Sequence, residues 1–322
     1  MTSISGQPTS LLFGCQSIGS VHEKIDSNEG LFGTVLNVFD KAINIKTNDD
    51  MLLVVGLGQV ASPLTMNVFP SASSAVCFRS FTDFVRNGDH VSVAGKNSSK
   101  DPGIVDIAQI QLGSKSAILM SKPLKLFENH ILKPDLENLL KFSESREHLL
   151  SVLTECATDR AGSLLNPDMT TEGLLPKFMN LSHDLVLDAK SSKFEERLSR
   201  SLIGFCGRGP GFTPGGDDFI SGALSVFNWI RLGLNLGSPI IPSLEYRKLT
   251  SWTSFKLMES NAQGLVDIEV QDLINSIAEG DVLRYAEAIK HIAKRGHTSG
   301  IDFVTGATIA TCLSIDGIVQ SR

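Results

Sequence analysis

The chain has 322 residues, 42% of them hydrophobic, and a net charge of −6, which are the proportions of a globular protein with a sizeable core. Its acidic balance argues against nucleic acid as a partner, because no basic excess is available to cover phosphates. No uninterrupted apolar run reaches about 18 residues, the length of a membrane span, and no signal-peptide pattern is visible. Five scattered cysteines without a C-x-x-C pair indicate a reducing compartment. We therefore expect a cytoplasmic protein that contacts no membrane.

The first predicted domain is β-rich. We treat residues 1–30 as an N-terminal extension and residues 31–125 as a domain of short runs rich in Val and Ile, separated by turns. The runs leave little room for crossover helices, so they predict an antiparallel barrel or sandwich-like domain. They are GTVLNVF, AINIK, MLLVVGL, LTMNVF, HVSVAG, VDIAQIQL and SAILMS.

The second predicted domain, residues 126–322, is mainly α-helical. From Pro134 to about Asp159 the apolar spacing is that of an amphipathic helix with a break near Ser143. A further helix is predicted to begin after Asp281, as N-cap, and to end at Gly296. The stretch 162–184 is predicted to be a connecting loop with short helical turns. The fold class predicted from both halves is α+β.

The segment GRGPGFTPGGDDFISGA, residues 207–223, is the most unusual part of the sequence. Six glycines fall within thirteen positions just before a helical run, although glycine loses the most backbone entropy on folding. Such a loop exposes N–H groups at a helix N-terminus, where the helix dipole favours anions. We expect Gly209, Gly211 and Gly216 to contribute to an anion site, with the Arg208 guanidinium and the Thr213 hydroxyl beside them.

The pattern recurs once. GGDDFISGA at 215–223 and SGIDFVTGA at 299–307 share G-x-D-F-x-x-G-A. Each Asp lies four residues before a Gly on the same helix face, and a helical glycine lets another backbone approach closely. We therefore predict that two helices cross near Gly222 and Gly306, which would bring Asp218 and Asp302 to one site.

The second loop supplies further candidates. His297, Thr298 and Ser299 offer an imidazole and two hydroxyls before the second helix, and His297 is a candidate proton donor. Asp217 and Asp218 would repel a bare anion, so we expect a phosphate with Mg²⁺ or a carbamoyl group whose N–H a carboxylate accepts. The structural alternatives remain open: these aspartates, Thr298 or Ser299 are plain helix N-caps, and His297 hydrogen-bonds to the backbone. Dinucleotide and P-loop motifs are absent.

These motifs resemble a known family. GRGPGFTPGGDDFISG is similar to the G-L-G-P-G-L-T-P-S-G-D-D-F-L-x-G motif of the bacterial family containing the AllH-type subunit of oxamate carbamoyltransferase. RGHTSGIDFVTGA resembles its G-H-S-S-G-x-D element, and GTVLNVFDKAINI resembles its N-terminal strand pattern, so the resemblance extends from about Gly33 onward. The sequence departs from the first motif at Arg208, Phe212 and Gly215.

The resemblance implies a transferase component of anaerobic allantoin and purine catabolism, which converts oxalurate and phosphate into oxamate and carbamoyl phosphate. It also implies other carbamoyltransferase subunits as partners and carbamoyl phosphate or phosphate as the ligand. No cofactor follows with certainty; Mg²⁺ held by Asp217 or Asp218 is compatible. Two alternatives remain open: a non-catalytic assembly subunit of such a complex, and a Mg²⁺-nucleotide enzyme.

Overall fold

The computed structural model describes residues 11–19, 30–70, 81–96, 107–114, 116–119, 125–169, 172–178 and 193–320. The chain divides into two compact units, Met1–Asn129 and His130–Arg322. The first is built on a curled β-sheet and the second on α-helices, so the predicted α+β fold class is confirmed.

The sheet of the first unit has the strand order β5-β4-β3-β2-β6-β7-β8-β1-β9, and β1 also pairs with β5, so the sheet curls back onto itself. Most pairings are antiparallel, whereas β4–β5, β1–β8 and β1–β9 are parallel. The strands are β1 Leu11–Ile18, β2 Gly30–Val38, β3 Ala42–Thr47, β4 Leu52–Leu57, β5 Thr65–Pro70, β6 His90–Lys96, β7 Ile107–Leu112, β8 Ser116–Leu119 and β9 Lys125–Leu126.

Alternating apolar residues give this sheet its core. Ile43 and Ile45 on β3 and Leu53 and Val55 on β4 are fully buried, as expected where every second side chain points inward. β1 falls within the stretch 1–30 that the sequence separates as an extension, yet it pairs with both β5 and β8. The rest of that stretch, 1–10 and 20–29, lies outside the described residues.

The second unit contains helices whose ends follow the sequence signals. Asp281 caps its helix by accepting from Arg284 N–H, as predicted, but the helix ends at Ile292 and not at the predicted Gly296. The long pattern after Pro134 breaks at Ser145, two residues later than predicted. The helices with both ends described are α1 Leu136–Glu144, α2 Arg146–Ala157, α3 Lys193–Ile203, α4 Gly215–Gly233, α5 Leu244–Leu249, α6 Trp252–Ala262, α7 Ile268–Glu279, α8 Val282–Ile292 and α9 Ser299–Gln320, and residues 174–178 are helical as well.

Helix α9 is the most apolar of these elements. By length and composition it could cross a membrane, but 78% of its apolar window is buried within the protein. Its hydroxyl side chains are buried too: Thr305 and Thr311 are fully inaccessible and donate to the carbonyls of Ile301 and Ala307. An apolar helix enclosed on most sides in this way is a core helix.

Candidate functional site

Two glycines allow α4 and α9 to touch backbone to backbone. A Cβ on Gly222 would lie 1.9 Å from Phe303 O, and a Cβ on Gly306 would lie 2.0 Å from Phe219 O. These distances leave no room for any side chain, so each glycine is required by the crossing. The predicted crossing of two helices at Gly222 and Gly306 is confirmed.

The repeat extends to the loops that lead into the two helices. A Cβ on Gly216 would lie 2.0 Å from Phe205 O, just beyond α3, and a Cβ on Gly300 would lie 2.0 Å from Ile292 O, the last residue of α8. Each crossing helix therefore begins against the carbonyl end of the helix before it. The shared G-x-D-F-x-x-G-A pattern thus corresponds to a repeated helix–loop–helix arrangement.

The crossing brings the two helix N-termini together. Thr213 lies just before α4 and Ser299 is the first residue of α9. Their hydroxyl groups form a hydrogen bond with an O···O distance of 3.0 Å. Asp302 Oδ2 lies 2.3 Å from the position that a Cβ on Gly215 would take. Both helix dipoles therefore present their positive ends to the same small region.

Asp302 projects into this region from the first turn of α9. It is fully buried, and its Oδ1 accepts from Leu164 N–H at 2.7 Å. Its Oδ2 is also buried and has no hydrogen-bond partner among the described residues. Burial raises the pKa of Asp302 to about 7, although bonds from Leu164 N–H and the Thr298 hydroxyl oppose the shift.

Asp218 occupies the matching position on α4. Its Oδ2 is buried and, within the described part of the chain, likewise unpartnered. Burial raises the pKa of Asp218 well above its ordinary value; hydrogen bonds from Ser299 and Thr213 lower it, and the charges of Asp302 and Asp217 raise it further. Two carboxyl groups, each with one buried oxygen that lacks a hydrogen bond, therefore face the joined N-termini.

Asp217 is engaged elsewhere. Its Oδ1 accepts from Gly207 N–H at 2.7 Å and its Oδ2 from the Thr250 hydroxyl, so both oxygens are occupied. Burial raises the pKa of Asp217, and these bonds oppose the shift. Gly207 has a φ of 72°, a left-handed conformation that glycine adopts without strain, and Asp217 holds it in place. These contacts are those of a residue that fixes the loop.

The glycine-rich loop offers unused donors. Gly209 and Gly211 both have a φ of 101°, which explains why glycine is needed there. Among the described residues, no acceptor is recorded for the N–H groups of Gly209, Gly211, Thr213 and Gly215. The Gly216 N–H, by contrast, donates to Arg208 O at 2.8 Å and is unavailable to a ligand. The loop can therefore donate to an anion through several N–H groups, but not through Gly216.

The two charged candidates of the loops lie at the surface. Arg208 and His297 are exposed, and neither side chain makes a hydrogen bond within the described residues. Their backbone carbonyls are used instead: Arg208 O accepts from Gly216 N–H, and His297 O accepts from Arg160 at 3.2 Å. Both side chains are free to turn toward a ligand.

A third loop contributes residues that the sequence did not single out. Leu164 N–H binds Asp302, and the Arg160 guanidinium bonds to the carbonyls of Gly296 and His297. Gly162 has a φ of 86°, and a Cβ on it would lie 3.3 Å from Pro210 Cγ. The Gly and Asn-Pro of this stretch predicted a loop, but nothing in its pattern predicted contact with both other loops. Residues 170–171 and 179–184 of the predicted connecting segment lie outside the described residues.

Other chemistry in the region is limited. The Cys206 thiol donates to Tyr246 O, and burial raises its pKa to about 12, so it is a poor nucleophile. No group of three His, Cys, Asp or Glu side chains is placed to hold a metal within the part of the chain that the structure describes. A groove of about 670 Å³ lies elsewhere, between α7 and α8, and is lined by residues such as Asp272 and Lys290.

The segment that forms the crossing helices and their loops can be compared with known families. Residues 205–311 match the family described as oxamate carbamoyltransferase subunit AllH. This is the AllH family that both motifs resemble. No curated protein and no solved structure matches the chain.

The AllH match spans the structural core of the site. It includes Thr213, Asp218, Ser299 and Asp302, together with both crossing glycines. It begins at residue 205, so the expected resemblance of the N-terminal strands lies outside the matched segment. The part of the chain similar to AllH is therefore the part that joins the two helix N-termini.

Proposed function

We propose that the chain is a subunit of an oxamate carbamoyltransferase and binds a small phosphate- or carbamoyl-bearing anion at the paired loops. The AllH match supports a subunit of such an enzyme and, with it, other subunits as partners. The observation that carries the ligand site is the meeting of the two helix N-termini, where Thr213 and Ser299 lie 3.0 Å apart beside two unpartnered carboxylate oxygens.

The anion is held by the backbone. In this proposal N–H groups of Gly209, Gly211, Thr213 and Gly215 donate to phosphate oxygens, and both helix dipoles add attraction. Arg208, exposed beside the loop, adds a planar cation that turns inward when phosphate binds. Ser299 and Thr213 complete the donor set with hydroxyls.

The carboxylates orient the rest of the ligand. Asp218 and Asp302 accept hydrogen bonds from a carbamoyl N–H, or would hold a Mg²⁺ ion whose charge would offset that of the phosphate. In the proposed reaction a phosphate oxygen attacks the carbamoyl carbon of oxalurate, the C–N bond breaks, and the leaving nitrogen of oxamate takes a proton. His297, exposed on the second loop, is the proposed donor of that proton. Donors preorganised around the developing charge supply most of the acceleration.

The wider setting follows from the same resemblance. We propose a cytoplasmic protein of anaerobic allantoin or purine catabolism. The apolar character of α9 does not conflict with this, since most of that helix is buried.

Calorimetric titration of the full chain with carbamoyl phosphate, with and without Mg²⁺, tests the ligand site. We expect one site, with affinity at least tenfold weaker in Ser299→Ala and Thr213→Val and unchanged in Ser151→Ala, a serine exposed on α2. Inorganic phosphate and ATP are run as comparison ligands. Absence of binding by carbamoyl phosphate and by phosphate would remove the proposal, and tight binding of ATP alone would favour a nucleotide enzyme.

A second candidate is an assembly role. Phe212, within the glycine-rich loop, is 43% exposed, as suits a contact with a partner protein. In the assembled complex, the catalytic proposal predicts that Asp218→Asn and His297→Ala lose turnover but still co-purify with the other subunits. Loss of co-purification in those variants, and in Phe212→Ser, would favour the assembly role.

A further inference from the structure

The two buried carboxyl groups lack any cation to balance them. Asp218 Oδ2 and Asp302 Oδ2 are inaccessible and unpartnered. In the described part of the chain, no Lys, Arg or His makes an ion pair or hydrogen bond with either group. A buried carboxylate without a counter-charge is destabilising unless a proton or a cation neutralises it.

The repeated helices differ at one position, and there the Asp302 carboxylate packs against backbone where a side chain would otherwise lie. On α4, Asp218 faces the Ser299 hydroxyl, which begins α9. On α9, Asp302 faces Gly215, which begins α4, and a Cβ there would lie only 2.3 Å from Asp302 Oδ2. A hydroxyl therefore meets one carboxyl group, whereas the other meets a residue without a side chain.

The side-chain atoms that could ligate a metal ion at this point are all oxygens. They are the two free carboxylate oxygens and the hydroxyls of Thr213 and Ser299, which lie 3.0 Å apart. Hard divalent cations such as Mg²⁺ and Mn²⁺ prefer oxygen ligands, and Mg²⁺ is usually held by one or two carboxylates with waters and phosphate oxygens completing its shell. A third protein carboxylate or a histidine is not required for such a site.

We infer that Asp218 and Asp302 together bind one divalent cation of the Mg²⁺ or Mn²⁺ type, with the hydroxyls of Thr213 and Ser299 close to it. Asp217, named with Asp218 as a possible ligand on sequence grounds, is not part of this site because both of its oxygens are occupied. The inference concerns the metal alone and holds whether or not the chain acts on carbamoyl compounds.

The helix dipoles determine how the cation binds best. Both N-termini carry partial positive charge, which opposes a bare cation and favours one that brings an anion. We therefore expect inorganic phosphate to tighten Mn²⁺ binding several-fold. This expectation alone depends on the proposed anion site.

Titration of Mn²⁺ into the EDTA-treated full chain, followed by calorimetry and by the loss of free-Mn²⁺ paramagnetic signal, tests the site. We expect a single site for which Mg²⁺ competes. Asp218→Asn and Asp302→Asn should each weaken Mn²⁺ at least tenfold, whereas Asp159→Asn, at an exposed position, should leave it unchanged. No Mn²⁺ binding by the wild type up to millimolar concentration, or wild-type Mn²⁺ affinity in both variants, would overturn the inference.

Thermal unfolding separates loss of metal from loss of fold. Asp302→Asn keeps an oxygen that can accept from Leu164 N–H, so the metal-free variant should be at least as stable as the wild type. Mn²⁺ should raise the Tm of the wild type but not of either variant. If Asp302→Asn does not fold, Asp218→Asn and Ser299→Ala decide the question by the same titration. Failure of carbamoyl phosphate to bind while Mn²⁺ still binds would remove the proposed function and leave this site intact.

Discussion

Gly222 and Gly306 perform the same task from opposite helices. Each lies against the carbonyl of a phenylalanine on the other helix, Phe303 for Gly222 and Phe219 for Gly306, at would-be Cβ distances of 1.9 and 2.0 Å. This reciprocal contact sets how closely α4 and α9 approach. It thereby fixes the distance between the two N-termini and between the two carboxyl groups.

The crossing should not tolerate a methyl group. Gly222→Ala and Gly306→Ala are each expected to cost about 1–3 kcal/mol or more, because a Cβ must displace backbone rather than a flexible side chain. Thermal unfolding of the full chain measures this. Gly204→Ala is the matched control, since its nearest neighbour, Ser201 O, lies at 3.5 Å and its change should stay within about 0.5 kcal/mol. Equal stability of all three variants would contradict the close crossing.

Asp217 is predicted to act through the loop and not through the ligand. Asp217→Ala and Thr250→Val should each destabilise the protein, and their effects should be coupled by about 0.5–3 kcal/mol in a double-mutant cycle, because the two side chains share one buried hydrogen bond. Denaturant unfolding of the two single variants and the double variant gives the coupling. Additive effects on the free energy of unfolding would show that the hydrogen bond between the two side chains contributes nothing to stability.

Stability should depend on pH through Asp302. Its pKa rises from 3.8 to about 7 on folding, so the folded state binds more protons than the unfolded state between these values. Stability of the metal-free protein should therefore fall as pH rises from about 4 to about 7, by up to roughly 1.4 kcal/mol per pH unit for this group. Asp218, whose pKa is also raised, acts in the same direction.

Denaturant unfolding across this pH range, in buffer with EDTA, measures the effect. Asp302→Asn should show a shallower fall than the wild type, whereas Asp159→Asn should follow the wild type. Saturating Mn²⁺ should remove most of the fall, because a bound cation favours the ionised carboxylates. Identical pH profiles for the wild type and Asp302→Asn would show that Asp302 is not the group responsible.

Arg160 is expected to position the second loop. Its bonds to the carbonyls of Gly296 and His297 are at the surface, so Arg160→Ala should change stability little. The affinity for carbamoyl phosphate should nevertheless fall several-fold, because the backbone of Gly296 and His297 loses its support. Calorimetry of this variant beside Arg197→Ala, at an exposed position on α3, tests the expectation. An unchanged affinity would assign Arg160 no part in positioning the loop.

The sequence predicted those parts of the site that depend on local pattern. The repeated G-x-D-F-x-x-G-A spacing was enough to predict the crossing. A glycine within a helix, four residues after an aspartate on the same face, has few structural uses other than the close approach of a second backbone. It could not separate Asp217 from Asp218, since adjacent aspartates differ only in which way the helix turns them. It also missed Leu164 and Arg160, whose contacts with the second loop and helix α9 span more than 130 residues. Contacts of that kind leave no periodic trace in a single sequence.

The most direct measurement is diffraction from crystals of the full chain grown with MnCl₂ and phosphate, with data collected where Mn scatters anomalously. The account predicts one anomalous peak between Asp218 and Asp302, with phosphate density against the loop N–H groups from Gly209 to Gly215. Density for both ions at another place, such as the groove between α7 and α8, with the paired N-termini occupied by water alone, would contradict it.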